Sequence, residues 1–64
     1  MASKIRLADG RDITVALDGK RVIAEFEQTT KGEEQFTRFS TFAGARVWVN
    51  PSHVAAIEDR PDLD

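Results

Sequence analysis

The chain has 64 residues, no cysteine and a formal net charge of −2, so we expect one small domain without disulfides or thiolate-bound metals. A content of 41% hydrophobic and 31% charged residues is typical of a folded, soluble protein and excludes a disordered one. No apolar run approaches the roughly 20 residues that span a bilayer, and no signal peptide is recognisable, so we expect a cytoplasmic protein without membrane contact. Because a core this small supplies only ~3–5 kcal/mol, we also expect a homo-oligomer.

The first half of the chain contains Asp18-Gly19, a dipeptide typical of two-residue hairpin turns. Such a turn would pair Val15 with Val22 and collect the alternating apolar residues of both flanks on one face. A helix over residues 20–31, capped by Asp18, is the competing interpretation. We favour the strands, because the helix would place two basic residues at the positive end of its dipole.

The second half predicts two further hairpins. A polar loop of residues 29–34 joins the strands 20–28 and 35–42, and a tight turn follows near Ala43-Gly44. That turn would pair Ser40 with Val47 and Phe39 with Trp48. One face then carries Phe36, Phe42, Val47 and Val49, and the other carries Thr37, Phe39, Thr41, Arg46 and Trp48. Both faces are partly apolar. One of them can pack against the core, and the apolar residues of the other need a different explanation.

The C-terminal segment begins with Asn50-Pro51, a favoured cap followed by a favoured first helical residue. It predicts a single helical or 3₁₀ turn at residues 51–53, followed by a short strand over residues 54–58. The domain is therefore assigned to residues 1–58, and residues 59–64 to an acidic, frayed tail. The predicted fold class is all-β, a small antiparallel barrel of five to six strands with one 3₁₀ turn.

The order of strand, single turn and closing strand resembles the end of SH3-like and Sm-like barrels. The Sm-like resemblance implies ring formation and, for many members, RNA binding, although Val49-Asn50-Pro51 stands where the bacterial Sm-like RNA chaperone has a basic, histidine-containing RNA contact. Residues 50–62 also resemble a segment of small flagellar proteins of the FlbD type. That resemblance is carried by Asn50, Pro51, Val54, Ile57, Glu58, Pro61 and Asp62. It implies a shared strand–turn–strand device, and we infer no flagellar role from it.

Charge alternates in blocks along the chain. Residues 1–24 carry +2, residues 25–37 carry −3, residues 38–57 carry +2, and residues 58–64 carry −3. Nucleic-acid-binding domains draw their affinity from neutralised phosphates and are normally basic, so the isoelectric point near 5.3 disfavours a general nucleic-acid binder. The alternating blocks are compatible with contacts between like subunits and with an ordinary mixed surface.

The sequence offers no constellation for catalysis. His53 is the single histidine and lacks partners for a zinc site, so we expect no metal and no cofactor. Ser52 beside His53 does not make a triad, Glu33 and Glu34 lie in a mobile loop, and isolated glycines form no phosphate-binding loop. We therefore expect no catalytic residues and a protein that is not an enzyme.

Trp48 and Phe39, with Arg46 nearby, are the most informative side chains. They could close one end of the core, or they could project outward as an interface, where tryptophan and arginine are enriched. Our interpretation is a self-associating interaction module with an interface of Phe39, Arg46 and Trp48 and an unidentified protein partner. The arginine- and alanine-rich composition indicates a bacterial or phage accessory or structural component. The alternative is a nucleic-acid-binding regulator that uses Arg38, Arg46 and Trp48, by stacking on single strands.

Overall fold

The computed structural model describes the backbone of residues 2–63 and the side chains of residues 2–62. Five strands, one α-helix and two 3₁₀ turns follow one another along this part of the chain. The strands are β1 (Ala2–Leu7), β2 (Asp12–Val15), β3 (Thr37–Ser40), β4 (Arg46–Val49) and β5 (Val54–Arg60). The helix α1 is Gly19–Lys31, and the 3₁₀ turns are Pro51–His53 and Pro61–Leu63.

Helix α1 replaces the hairpin that Asp18-Gly19 predicts, so the all-β assignment holds only in part: the described chain is mostly strand with one helix. Asp18 is the N-cap: its Oδ1 accepts a hydrogen bond of 2.8 Å from the backbone N–H of Arg21. A second carboxylate, Asp59 at the end of β5, accepts a bond of 2.7 Å from the N–H of Gly19. Two anionic acceptors at the positive end of the helix dipole outweigh the unfavourable basic residues of its first turn.

The strands of residues 2–63 form two antiparallel sheets, and within these residues neither sheet closes into a barrel. In the first, β1 lies between β2 and β5; in the second, β3 pairs with β4. The sheets meet where Val15 forms an isolated bridge with Thr41 and where Phe42 donates its N–H to the carbonyl of Thr14 at 2.8 Å. The architecture is therefore mostly strand with one helix.

The β3–β4 register differs by one residue from the predicted one. Phe39 faces Val47 and Arg38 faces Trp48, whereas a tight turn at Ala43-Gly44 would have paired Phe39 with Trp48. The connection is longer than that turn: Thr41 donates its N–H to the carbonyl of Ala45 at 2.7 Å, and Gly44 adopts a φ of +93°. A one-residue shift exchanges the partners of every side chain on the strand.

The core lies between the first sheet, the second sheet and α1. Its buried members are Ile5, Val15, Val22, Phe26, Phe39 and Val49. Phe26 of the helix meets Phe39 of β3 edge to face, with ring centroids 5.2 Å apart. Beside them, Thr37 donates a 2.5 Å hydrogen bond to the hydroxyl of Thr29, which itself donates to the carbonyl of Glu25. Both hydroxyls are buried, so this pair joins the helix to β3 without an unsatisfied polar atom.

The C-terminal segment confirms the predicted 3₁₀ turn at Pro51–His53. Asn50 is its N-cap, and its Oδ1 accepts the N–H of Ser52 at 3.0 Å. Strand β5 is longer than predicted, because it continues through Asp59 and Arg60, which the sequence assigned to a tail. Pro61–Leu63 then forms the second 3₁₀ turn, and Asp64 lies outside the described residues.

Candidate interaction surface

The solvent side of the second sheet gathers three of the side chains singled out from the sequence. Side chains alternate along a strand, so the buried Thr37, Phe39 and Val49 on one side leave Arg38, Arg46 and Trp48 on the other. Arg38 lies directly across from Trp48, and Arg46 is two residues from Trp48 on the same strand. We call this set (Arg38, Arg46 and Trp48) the Trp48 face.

Trp48 is 60% exposed, the largest exposure among the large hydrophobic residues of the described chain. Both arginines of the Trp48 face are also exposed. Phe39, predicted as an interface residue, is 3% exposed and belongs to the core, so the interface prediction is wrong for this residue. The physical reason is the register shift, which places Phe39 on the side of the sheet opposite to Trp48.

The two guanidiniums of the Trp48 face differ from those of the other arginines in their ion pairing. Among residues 2–63, no carboxylate lies within 4.0 Å of Arg38 or Arg46. The remaining arginines do have such partners: Arg6 with Glu58, Arg11 with Asp9, Arg21 with Glu25 and Arg60 with Asp62. The face therefore presents one large aromatic ring and two charges that are available to an anionic partner.

Two of the paired carboxyls have perturbed acidity. The backbone N–H of Arg11 bonds Asp9 and holds the pKa of this carboxyl below its ordinary value. The guanidinium of Arg60 lowers the pKa of Asp62 in the same way, and the pKa of Arg60 is raised by the same hydrogen bond. Both pairs lie at the surface, and their shifts reflect local hydrogen bonding between neighbouring residues.

A groove with a volume of about 460 Å³ adjoins the Trp48 face. We call it the aromatic groove, because Trp48 and Phe36 both line it. Phe36 is 51% exposed, although the sequence placed it on one face with Val47 and Val49. Since Phe36 precedes the first residue of β3, the alternation of that strand does not reach it. The available sequence signal was the polar stretch just before it, which is typical of a loop.

A second groove lies between α1 and β5 and has a volume of about 560 Å³. We call it the helix groove; its apolar lining is Ile23, Phe26, Pro51, Val54 and Ile57. Ile23 is 46% exposed because Val22 and Phe26, one turn apart, direct the neighbouring side of the helix into the core. The sequence did not predict this groove, since the favoured interpretation made residues 20–28 a strand and residues 29–34 a loop.

The candidate catalytic side chains are not brought together. His53 is exposed in the 3₁₀ turn and lies at the rim of the aromatic groove. The hydroxyl of Ser52 donates to Oδ1 of Asn50 at 2.7 Å and thereby contributes to the cap of that turn. Within residues 2–63, no three histidine, aspartate or glutamate side chains are grouped as a metal site would require.

Comparison with known proteins leaves the chain without a family assignment. No protein-family model matches it, and no curated protein matches it at a significant level of sequence similarity. In the described part of the chain, no helix combines the length and apolar character that crossing a bilayer requires. The function must therefore be argued from the surfaces of the molecule itself.

Proposed function

We propose that the protein is a non-enzymatic interaction module that self-associates, and that the Trp48 face is a contact surface between copies. The observation that carries this proposal is Trp48, 60% exposed between two arginines that have no carboxylate within 4.0 Å among residues 2–63. Tryptophan and arginine are enriched among the residues that dominate binding energy at interfaces. An exposed aromatic side chain of this size in a soluble domain commonly marks a contact.

Self-association is also favoured by the size of the core. Among the side chains of residues 2–62, six large or branched apolar ones form the buried cluster, and four other large hydrophobics stay between 46% and 60% exposed. A single core in a chain of this length contributes only ~3–5 kcal/mol of net stability, and burial between subunits is a common supplement. A bacterial or phage accessory or structural role remains part of this proposal.

The arrangement of strands supports a relation to SH3-like and Sm-like barrels as a further part of the proposal. The order β5-β1-β2 continues through the Val15–Thr41 bridge into β3-β4, and a 3₁₀ turn precedes β5. In this interpretation α1 is an insertion between β2 and β3 of an open barrel.

Light scattering on the whole chain tests the proposal. We expect a particle mass above 7.1 kDa at tens of micromolar protein, and we expect Trp48→Ala to lower it. Phe42→Ala is the matched control, because Phe42 is 54% exposed but lies outside the Trp48 face. A strict monomer, or an equal loss of mass in both variants, contradicts the proposal.

A nucleic-acid-binding regulator is the second candidate, favoured by the fact that Arg38, Arg46 and Trp48 share one exposed face. An aromatic ring flanked by guanidiniums can stack on the bases of a single strand. Two neutralised phosphates would give a slope of about −1.4 for log affinity against log salt. Fluorescence anisotropy with labelled single-stranded DNA and RNA measures this slope, and no binding at low salt excludes the candidate.

A further inference from the structure

Strand β5 is an open edge of the first sheet. It pairs with β1 along one side. Within residues 2–63, β5 makes one backbone hydrogen bond to an element other than β1. In this bond the N–H of Val54 donates to the carbonyl of Pro51 and caps the 3₁₀ turn Pro51–His53. Unpaired edges are templates for the pairing of another chain. A bulge at Ala55 breaks the ladder with β1, so the regular part of the edge is residues 56–60.

The helix groove follows this same edge. Val54 and Ile57 of β5 line it from the sheet, and Ile23 lines it from the helix. All three side chains are only partly buried within the chain. An apolar strip beside unpaired backbone groups is the combination that a strand of a second molecule would cover.

We propose that a second copy of this chain pairs antiparallel along β5, with Ile57 on the two-fold axis. The inference rests on the proposed self-association and adds a contact separate from the Trp48 face. In this register Ala56 lies opposite Glu58 of the second copy, and the two Ile57 side chains meet on the helix side. The product is a six-stranded sheet, with both helices on one side and the two helix grooves joined across the axis.

Repulsion between like charges disfavours two neighbouring registers. With the axis at Ile57, Glu58 faces the uncharged Ala56, and both residues lie in the regular part of the edge. An axis at Glu58 or Asp59 would instead place two like carboxylates directly opposite each other, which is destabilising.

The charges nearest the axis are also balanced within each copy. The carboxylate of Glu58 lies 3.5 Å from the guanidinium of Arg6, and that of Asp62 lies 2.9 Å from Arg60. Asp59 is held by the N–H of Gly19. Two β5 edges can therefore approach without net repulsion, whereas Arg38 and Arg46 of the Trp48 face have no such balancing charge among residues 2–63. The second copy is the occupant that fits the β5 edge.

The test is a charge pair at Ala56, which is exposed and faces Arg6 within the chain. Ala56→Glu places a carboxylate opposite Glu58 of the second copy at two symmetric positions. We expect the dissociation constant of the dimer to rise by about 2-fold to 30-fold. Ala56→Lys, the matched control, places an ammonium opposite the same carboxylate and should keep or strengthen the dimer. Analytical ultracentrifugation over a protein dilution series measures both constants.

Unfolding cannot produce the expected pattern. Within one copy a glutamate at position 56 faces Arg6 favourably and a lysine faces it unfavourably, so the fold and the dimer respond with opposite signs. Circular dichroism at each dilution verifies the fold. Adding Glu58→Lys to Ala56→Glu should restore the dimer, because opposite charges then face each other again.

The outcomes separate this inference from the proposed function. If Ala56→Glu and Ala56→Lys have the same dimer constant as the unmodified chain, the β5 contact is wrong, even when Trp48→Ala lowers the mass. If Ala56→Glu weakens the dimer, Ala56→Lys does not, and Trp48→Ala has no effect, the β5 contact stands and the Trp48 face is not a contact between copies. A monomer at every concentration overturns both.

Discussion

Replacing Asp59 with alanine tests the contact that joins the end of β5 to the beginning of α1. The carboxylate accepts the N–H of Gly19 at 2.7 Å, across 40 residues of sequence. The N–H groups of the first helical turn have no partner within the helix, so Asp59 supplies one of the acceptors that local sequence does not. Loss of such a cap costs about 0.5–2 kcal/mol.

That cost is a large fraction of the stability that a core of this size supplies, which is ~3–5 kcal/mol. A loss of 1 kcal/mol lowers the melting temperature of a small domain by roughly 4–8 °C. Asp59→Asn retains an acceptor oxygen and removes the charge, so it should lose only the interaction with the helix dipole, about 0.3–1 kcal/mol. Urea unfolding followed by circular dichroism, at one fixed protein concentration, gives the three free energies of unfolding.

A double-mutant cycle with Gly19→Ala makes this test specific. A Cβ at position 19 would lie 2.8 Å from Oδ1 of Asp59, so the carboxylate must move and the capping bond weakens. In the Asp59→Ala background nothing remains to be displaced, and alanine should raise stability by about 0.4–1 kcal/mol through the unfolded state. The expected signature is a change of sign between the two backgrounds. An equal effect of Gly19→Ala in both, or an Asp59→Ala variant as stable as the unmodified chain, refutes the role of the cap.

Two further predictions concern the remaining hydrogen-bonded contacts. Thr37→Val keeps the shape of a buried side chain but removes the donor to the Thr29 hydroxyl. It should therefore lower the free energy of unfolding by about 1 kcal/mol. Thr30→Val, on the exposed side of the helix, is the control and should change this free energy by less than about 0.5 kcal/mol. Because Arg60 lowers the pKa of Asp62 in the folded chain, the stability that this pair contributes is present above the ordinary carboxyl pKa of 3.8 and is lost as the pH falls through the folded value. An NMR titration of the Asp62 carboxyl carbon should show a midpoint below that of the urea-unfolded chain. Arg60→Gln should reduce this difference, because the hydrogen bond from Arg60 is the largest cause of the lowered pKa.

The helix shows why local sequence left two interpretations open. Asp18-Gly19 suits a hairpin turn, yet the same two residues suit an N-cap and the first position of a helix. Val22 and Phe26 are four residues apart, a spacing that places them on one side of a strand and also on one side of a helix. The deciding contact comes from Asp59, which no window around residue 19 contains. Asp18 was therefore recognised as a possible cap, but the hairpin was favoured over the helix that it caps.

The wrong prediction for Phe39 has a different cause, which is the register of β3 against β4. The alternation of β3 and β4 was read correctly, but the register depended on the length of the loop between them. Backbone bonds within Thr41–Ala45 make that loop longer than the Ala43-Gly44 turn, and Phe39 moves to the core while Trp48 stays exposed. The segment 50–58 was predicted well because its signals, an asparagine cap and a proline at the first position, act within a few residues. The sequence therefore predicted the features that depend on neighbouring residues, but it did not predict the strand register or the helix cap supplied by a distant residue.

The two outer strands differ in a way that bears on assembly. Strand β4 carries an aromatic ring and cations that have no carboxylate partner within residues 2–63, whereas the charges of β5 are already balanced by Arg6, Asp62 and the helix N-terminus. A balanced edge is suited to a like copy, because pairing about a two-fold axis brings the same edge of both copies together. An unbalanced face is suited to a partner of opposite charge, such as an acidic block of a neighbouring copy or a phosphate chain. If both proposed contacts form, a pair of copies joined through β5 carries two Trp48 faces, and binding of both faces to acidic blocks of further copies raises avidity.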